Sequence, residues 1–430
     1  MHQRCFVKTS LADAGAEPAP KIIYKDVVYI KKMIIKTSVI AAVLMLSLLS
    51  ALAAALYAVP DAVKKAESAA RPCASADKEA AQEELRGIWL PYMCLTLTEG
   101  EQSEEAFTKK ICSVFDKCAG CGLNAVFMQV RPFSDALYKS GIFPWSHILT
   151  GVQGKDPGYD PLKIAVREAH KRALALHAWI NPFRISTGST PPSLSDNNPC
   201  IRLKNESADD DEGFFFTYEG GLYFDPSSSR VRELIIDGVR ELAENYDIDG
   251  IQIDDYFYPT EDESIDIESY RRYKSTLPEG SIALSHQEWR KSCINMLICG
   301  IYTAAHSAKD DIVFGIAPQC NFENDEKMSA DIQSWCRFDG YADYICPQLY
   351  VSLEHPVFPF EKLAQEWCSV MKSGSTRLYF GLALYKVGTD ADSGTWLTGE
   401  DIIKSQTAIL RNYHADGFIL YSYEYIGNYA

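Results

Sequence analysis

From residue 85 onward the sequence predicts an α/β protein, a (β/α)₈ (TIM) barrel with long loops at the C-terminal face and an N-terminal hydrophobic segment ahead of it. Short apolar runs of strand length alternate with helical patterns along the whole stretch, the strand runs number eight, and the long turn-rich segments follow strands rather than helices. The strands read as 86–92, 124–131, 175–181, 249–255, 313–319, 343–350, 377–385 and 416–423. Helices read as 104–119, 160–174, 228–245, 286–308, 329–336, 360–373 and 399–414, with no helical pattern after the eighth strand. Three connections are long: 184–225, which carries Pro191-Pro192 and three aspartates at 209–211; 259–285; and 386–398, which holds Gly388, Gly394 and Trp396. Long loops on the C-terminal face of such a barrel shape a substrate cleft. No internal repeat or second domain is visible.

The first part of the chain reads differently. Residues 1–36 look like a leader or a misassigned start, with Met33 a candidate initiator. Residues 39–59, within a 37–59 segment, are apolar apart from Ser47 and Ser50, and Lys31, Lys32 and Lys36 precede them. This is a signal peptide or an N-terminal anchor, long enough to span a bilayer core of roughly 30 Å. A polar, Ala-rich tether at 60–84 leads into the barrel domain, 85–430. The protein is therefore expected to be exported, extracellular or membrane-anchored facing outward. A net charge of −16 argues against nucleic acid as a partner. Thirteen cysteines, an odd number, show no disulfide framework. Cys94, Cys293, Cys299 and Cys346 lie in apolar runs and read as small core residues, and Cys118-x-x-Cys121 reads as a helix end rather than a metal motif.

The informative stretch is Asp249-Gly250-Ile251-Gln252-Ile253-Asp254-Asp255-Tyr256-Phe257-Tyr258-Pro259, a buried-strand pattern that runs into two carboxylates and an aromatic cluster. Side chains alternate along a strand, and the apolar parity packs on the helices. By that test Gln252 and Asp254 point into the lumen. The same test sends Gln129 and Arg131 inward on the second strand, His177, Trp179 and Asn181 on the third, Gln348 and Tyr350 on the sixth, and Tyr379 and Tyr385 on the seventh. Arg131, His177, Trp179, Asn181, Gln252, Asp254, Gln348, Tyr350 and Tyr385 are thus expected to converge on one mouth. Hydrogen-bonding groups interleaved with flat aromatic faces suit a hydroxyl-rich ring. Neighbours on a strand face opposite ways, so Asp254 is the expected principal carboxylate, and Asp255 is expected to orient a neighbour or hold the loop, with catalysis its minority role.

Several segments resemble the glycosyl-hydrolase-like family 10 proteins, formerly a domain of unknown function and distinct from the xylanases. They are Leu85-Arg86-Gly87-Ile88-Trp89, Gln129-Val130-Arg131-Pro132, Asp135-Ala136-Leu137-Tyr138, Pro144-Trp145-Ser146, Tyr159-Asp160-Pro161-Leu162, Ala169-His170-Lys171-Arg172, His177-Ala178-Trp179-Ile180-Asn181-Pro182-Phe183-Arg184, the fourth-strand segment, Pro347-Gln348-Leu349-Tyr350 and Ser422-Tyr423-Glu424-Tyr425. The resemblance covers nearly all of 85–426. It implies a glycosidase-type barrel, usually bacterial and exported, with some relatives associated with cell-wall glycan strands. The fourth strand also echoes chitinases, but Tyr256 stands where their acid glutamate would fall and Gln252 replaces an aspartate. An inward fourth-strand aspartate is closer to the α-amylase pattern, by analogy only.

The expected activity is hydrolysis of a polysaccharide with Asp254 as main carboxylate. A second acid is required, roughly 5–5.5 Å away for retention or 6.5–9.5 Å for inversion. Glu424, Glu323 and Asp255 are the candidates, with Glu354 and Asp135 also near the mouth. Arg131 and Arg184 are candidates for an acidic sugar or lactyl carboxylate, against salt bridges to Asp254, Asp255 or Asp135. Trp145 and Trp179 are candidate stacking platforms, against core packing, and Tyr256 joins the substrate-binding set. No metal or cofactor constellation is present: the first strand lacks His-x-His, and no nucleotide loop or Ser-His-Asp elbow occurs. Two rivals stand beside the hydrolase, a barrel that only binds glycan at the cell surface and a wall-anchored structural protein.

Overall fold

The computed structural model describes residues 84–97, 100–206, 213–371, 375–397 and 401–429. The leader, the hydrophobic segment and all but the last residue of the tether lie outside them, and among the described residues no helix is long and apolar enough to cross a membrane.

Eight parallel strands close into a barrel: β1 Leu85–Leu90, β2 Ala125–Arg131, β3 Ala175–Ile180, β4 Gly250–Ile253, β5 Val313–Ile316, β6 in two pieces (Tyr344–Ile345 and Gln348–Leu349), β7 Arg377–Ala383 and β8 Gly417–Tyr421. The ring closes because β1 pairs with both β2 and β8. Outside the short helices of the loops, the helices are α1 Glu104–Gly120, α2 Pro161–His170, α3 Ser229–Asn245, α4 His286–Ala308, α5 Phe322–Lys327, α6 Ile332–Trp335, α7 Phe360–Val370 and α8 Ile402–Asn412. Each of the first four starts on a side-chain cap. Ser103, Asp160, Ser228 and Ser285 accept the backbone N–H of Ala106, Lys163, Val231 and Glu288, a contribution of about 1 kcal/mol each. The helix expected at 329–336 is instead the pair α5 and α6. A 3-10 turn, Tyr423–Asn428, follows β8.

The period-two alternation holds along the strands up to Gln129 on β2, where the register shifts. Ile88, Met128, Ala178, Ile251, Phe314 and Leu420 belong to the outer core against the helices, while Trp89, Phe127, Trp179, Tyr344, Tyr379 and Ile419 form a separate cluster inside the barrel. The lumen is therefore packed with rings. Glycine makes room for them: a Cβ on Gly87 would stand 2.6 Å from Phe127, and one on Gly250 or Gly315 would collide with His177 or Tyr344.

One device repeats around the N-terminal rim. Asn124, Asp249, Asp343 and Asp416 each stand one residue before an even-numbered strand. Their side chains accept the N–H of Arg86, Leu176, Phe314 and Leu378 at 2.8, 2.7, 2.6 and 2.8 Å. Each returns its own backbone N–H to that residue's carbonyl. His170 and His306 reach Asp249 and Asp343, both at 2.9 Å.

At the opposite rim the long loops carry structure that alternation did not foretell. The loop after β3 contains a helix, Pro199–Glu206, and a small antiparallel sheet of Arg184–Ser186, Gly221–Phe224 and Phe215–Tyr218. The loop after β4 contains the helix Ile267–Thr276 and is pinned to α4. Arg290 donates to Asp266 at 2.8 Å and to the Thr260 and Asp262 carbonyls, and His286 pairs with Asp266 at 2.8 Å. Phe216 of the small sheet stacks on Tyr258 at 6.4 Å and joins the two loops.

The eleven cysteines among the described residues are free thiols. Cys293 and Cys346 are buried and Cys94 half-buried, whereas Cys299, expected in the core, is exposed on α4. Cys118 and Cys121 mark the end of α1, as the spacing suggested.

Candidate active site

The ladder of β4 stops at Ile253, so Asp254 and Asp255 lie beyond the last paired residue and strand alternation no longer forces them apart. Both face the mouth. Asp254 is buried, 5% exposed, and its Oδ2 accepts from Trp179 Nε1 at 3.0 Å and from Asn181 Nδ2, while Oδ1 has no partner. Asn181 is held in that orientation because its Oδ1 already accepts from Gln129 Nε2 at 2.6 Å and Arg184 Nη2 at 3.0 Å. Gln129 Oε1 in turn accepts the Tyr92 N–H. A fixed chain of amides therefore delivers a donor to Asp254.

Asp255 turns the other way around the mouth. Its Oδ1 accepts from Gln348 Nε2 at 3.0 Å, and the Gln319 side chain also bonds it. Behind Gln319 lies Asp325, 1% exposed on α5, whose Oδ1 accepts the Gln319 N–H at 2.9 Å and whose buried Oδ2 has no partner. Three carboxyls thus stand in sequence from the mouth into the wall.

Burial pushes the Asp254 carboxyl up to about 7; the charge of Asp255 adds to this, while Arg184, Trp179 and Asn181 oppose it. Asp255 is raised as well, by burial, against its amide donors. Asp325 is pushed up to about 8, by burial first and then by Asp255. Two like carboxyls this close titrate as a pair. Both carboxyls are thus pushed toward the protonated form, and ionising one opposes ionising the other, so the site favours an acid beside a carboxylate. That is the requirement for protonating a leaving oxygen while facing a developing positive charge.

Rings surround the pair. Tyr256 is 53% exposed at the rim, and the Arg184 guanidinium lies between it, at 5.5 Å, and Phe133, at 5.0 Å. Arg184 donates Nε to the Pro132 carbonyl at 2.7 Å and Nη2 to Asn181 at 3.0 Å, and it acts on Asp254 through its charge without a salt bridge. Tyr421 is raised to about 12 by burial and by the charges of Asp254 and Glu424. Tyr350 and Tyr385 pack on Tyr421 at 5.6 and 6.0 Å. Glu424 is exposed in the 3-10 turn after β8, within electrostatic reach of that phenol. The Tyr421–Ser422 peptide bond is cis.

The structure thus brings together Asp254, Asp255, Trp179, Asn181, Arg184, Tyr256, Gln348, Tyr350 and Tyr385, with Glu424 on the rim. It moves five expected residues elsewhere. A register shift between Gln129 and Arg131 reverses the parity of β2, so Arg131 points outward, over Phe143 at 4.3 Å and beside Gly238 of α3. His177 and Gln252 do point into the lumen but lie below the mouth. His177 packs on Phe127 and, by burial, is lowered to about 4 and neutral; Gln252 is 0% exposed and accepts from Trp89 Nε1 at 2.6 Å. Trp145 packs half-buried against the outer core. Glu323 turns to solvent at the start of α5 and pairs with Lys327 at 2.9 Å, which lowers its carboxyl.

Of the lesser candidates, Asp135 is fully buried on His147 and Gln153, both at 3.0 Å, and Glu354 is exposed. Asp325, Gln319 and Tyr421 were missed. Asp325 had a signal: it shares a helix face with Phe322, three residues before it. Among the described residues, no group of three His, Cys, Asp or Glu side chains could hold a metal ion.

Comparison with known proteins agrees with the fold. The family model described as Glycosyl hydrolase-like 10 matches residues 84–397. Glycosyl hydrolase YngK of Bacillus subtilis is 33% identical over 75% of this chain, which spans 65% of that relative's length. Glycosyl hydrolase DigH of Escherichia coli K12 is 31% identical over 71% of this chain and 74% of its own. Among solved structures, the PgaB (BpsB) glycoside hydrolase domain from Bordetella bronchiseptica superimposes with a TM-score of 0.55 at 14% identity, covering 80% of this chain and 96% of that one. An α-L-fucosidase from Paenibacillus thiaminolyticus gives 0.51 at 13% identity, over 81% of this chain and 49% of that one. At these identities the two structures speak for the barrel alone.

Proposed function

The chain belongs to the glycosyl hydrolase-like 10 family, and from that premise we propose that it is a glycoside hydrolase acting on a polysaccharide outside the cytoplasm, with Asp254 as its main carboxylate. Membership supports a carbohydrate-acting enzyme; the assignment to Asp254 rests on its burial at the mouth, on two directed donors, and on a carboxyl raised by that burial and by the neighbouring charge of Asp255. Export rests on the apolar segment 39–59.

In this reading the sugar ring lies against Trp179, Tyr256 and Tyr421. The Asp254/Asp255 pair gives its proton to the glycosidic oxygen as the bond from that oxygen to the anomeric carbon breaks. The pair, then fully ionised, faces the positive charge that develops on the ring. A water adds its oxygen to the anomeric carbon, and its released proton reloads the pair. Asn181, held by Gln129 and Arg184, keeps Asp254 aimed, and Gln348 and Gln319 do the same for Asp255.

The remaining acid candidate is Glu424, the rim carboxylate that shares Tyr421 with Asp254. A glycan-binding barrel without catalysis is the second reading. It is favoured by the diversion of Glu323 into a surface pair and the exposure of Glu424, the two acids from other strands expected to partner Asp254.

Release of reducing ends from a glycan panel separates these readings, with peptidoglycan strands included both with and without stem peptides. Wild type is run beside Asp254→Asn, Asp255→Asn and Glu424→Gln. Activity lost in Asp254→Asn is the expected outcome. Equal activity in wild type and Asp254→Asn would sink the assignment, loss in Glu424→Gln alone would move the chemistry to the rim, and silence from wild type with glycan retained in a pull-down would favour the binding barrel.

A further inference from the structure

One buried cation stands outside the lumen with no anion beside it. Arg131, at the end of β2, is 1% exposed and turned toward α3. Its Nη1 and Nη2 are sealed from solvent without a hydrogen-bond partner, and among the described residues no carboxylate forms a salt bridge with it. The Tyr138 hydroxyl, also sealed, lies beside the guanidinium but out of hydrogen-bonding geometry, so it is a third unpartnered group able to donate. Glu241 of α3 favours the charge from further away, and its two oxygens are taken by the Ser140 hydroxyl and the Gly141 N–H. The rest of the wall is apolar: the Phe143 ring lies 4.3 Å from the guanidinium, and Gly238 makes room for it, since a Cβ there would stand 2.5 Å from Nη1. A guanidinium keeps its proton, and a buried charge without a counter-charge is strongly unfavourable. Water would satisfy the hydrogen bonds and leave the charge uncompensated. Three converging donors around one positive charge select an anion, and the closed wall excludes a phosphate or a carboxylate carried on a chain.

We propose that Arg131 and Tyr138 hold a small monovalent anion, a halide such as chloride, between the end of β2 and α3. The site reaches the mouth through the backbone. The Arg131 carbonyl accepts the Asn181 N–H at 2.9 Å, and the next carbonyl, that of Pro132, accepts Arg184 Nε at 2.7 Å. Asn181 donates to Asp254, and Arg184 holds Asn181 in place. The halide therefore steadies the strand end from which the donors of Asp254 are hung. Its binding does not depend on the hydrolase reading.

The experiment melts the full chain in sodium chloride and in sodium gluconate at matched ionic strength, and measures anomalous scattering from its crystals in sodium bromide. Relative to gluconate, chloride is expected to raise the melting temperature saturably, by about 4 °C at a hundredfold excess over its dissociation constant. Bromide is expected at a sealed position between Arg131 and Tyr138. Removing Arg131 would also remove a core side chain, so Tyr138→Phe carries the test: it keeps the ring, takes away one donor to a charged partner, and is expected to move the midpoint of the chloride response about tenfold higher. A general salt effect would not shift with that hydroxyl. A wild type that melts alike in both salts, a chloride response unchanged in Tyr138→Phe, or density beside Arg131 without an anomalous signal, which marks a water, would overturn the site.

Discussion

Asp249, Asp343 and Asp416 stand at the starts of even strands, and Asp254, Asp255 and Asp325 lie at or behind the strand ends. The barrel treats the two sets in opposite ways. At the N-terminal rim each aspartate meets a backbone N–H of the neighbouring strand that has no ladder partner, and the two satisfy each other within 2.8 Å. Two of the three also meet a histidine from the end of a helix. At the C-terminal rim the strands offer carbonyls rather than free N–H groups. Asp254 and Asp255 depend on side-chain amides and an indole, Asp325 accepts one loop N–H, and Asp254 and Asp325 each keep an oxygen without a partner. Donor supply follows from strand polarity. This barrel therefore clamps its aspartates at one rim and at the other buries Asp254, Asp255 and Asp325 with fewer donors, which raises all three.

The comparison breaks most visibly by neutralising one member of each set. Asp254→Asn is expected to lower turnover by about 10²–10⁴-fold, the range for a positioned acid or base, while the protein folds as before. Release of reducing ends, read beside circular dichroism, checks it. If turnover survives, the C-terminal rim is no more chemical than the other.

Stability against pH sharpens it next. Asp254 has its carboxyl raised from the ordinary 3.8 to about 7. The unfolded chain therefore ionises first as pH rises, and the contribution of this group to stability, present in full below about 4, is lost by about 7. The difference in unfolding free energy between Asp254→Asn and wild type should grow in favour of the variant across that window. It reaches a few kcal/mol at most, because each pH step between the two ionisations is worth about 1.36 kcal/mol. Turnover should fall as pH passes about 7 and the shared proton leaves. Denaturant melts and rates across pH test both; a flat difference would mean that Asp254 is ionised throughout.

Asp343→Ala tests the N-terminal rim. It strands the Phe314 N–H and removes the partner of His306. A loss of about 1–2 kcal/mol is expected, with turnover per folded molecule unchanged. A fall in turnover at constant folded fraction would show that the two rims are coupled through β5 and β6.

Legibility in the sequence divided along the same lines. Which strands exist, and which side chains on them face inward, was readable because parallel barrel strands are buried on both sides and keep period two: Trp179, Asp254, Gln348 and Tyr350 all came from that test. It fails where the period is interrupted. The register shift at Gln129 turned Arg131 out of the lumen, and the end of β4 at Ile253 freed Asp255 to share the mouth with Asp254. Parity also carries no depth, so His177 and Gln252 were correctly placed inside but a layer too high. Helix phase on a six-residue helix is the weakest signal of all, and there Glu323 was preferred to Asp325.

That helix gives the smallest and most discriminating test. Glu323 and Asp325 are two residues apart on α5, one 79% exposed in an ion pair with Lys327, the other sealed behind Gln319. Glu323→Gln is expected to leave turnover and melting temperature unchanged, since exposed pairs of this kind contribute little. Asp325→Asn keeps the acceptor for the Gln319 N–H and loses only a carboxyl already held near its protonated form, so it too should stay close to wild type at neutral pH. Asp325→Ala removes the acceptor. Gln319 then loses its anchor and Asp255 one of its donors, and turnover should fall by about tenfold, the weight of one hydrogen bond of about 1.4 kcal/mol. The order Glu323→Gln, Asp325→Asn, Asp325→Ala follows from which oxygen has something to hold. A loss in Glu323→Gln would instead return the acid to the solvent side of α5 and undo the contrast between rims, because a fully hydrated carboxylate would then be carrying the chemistry.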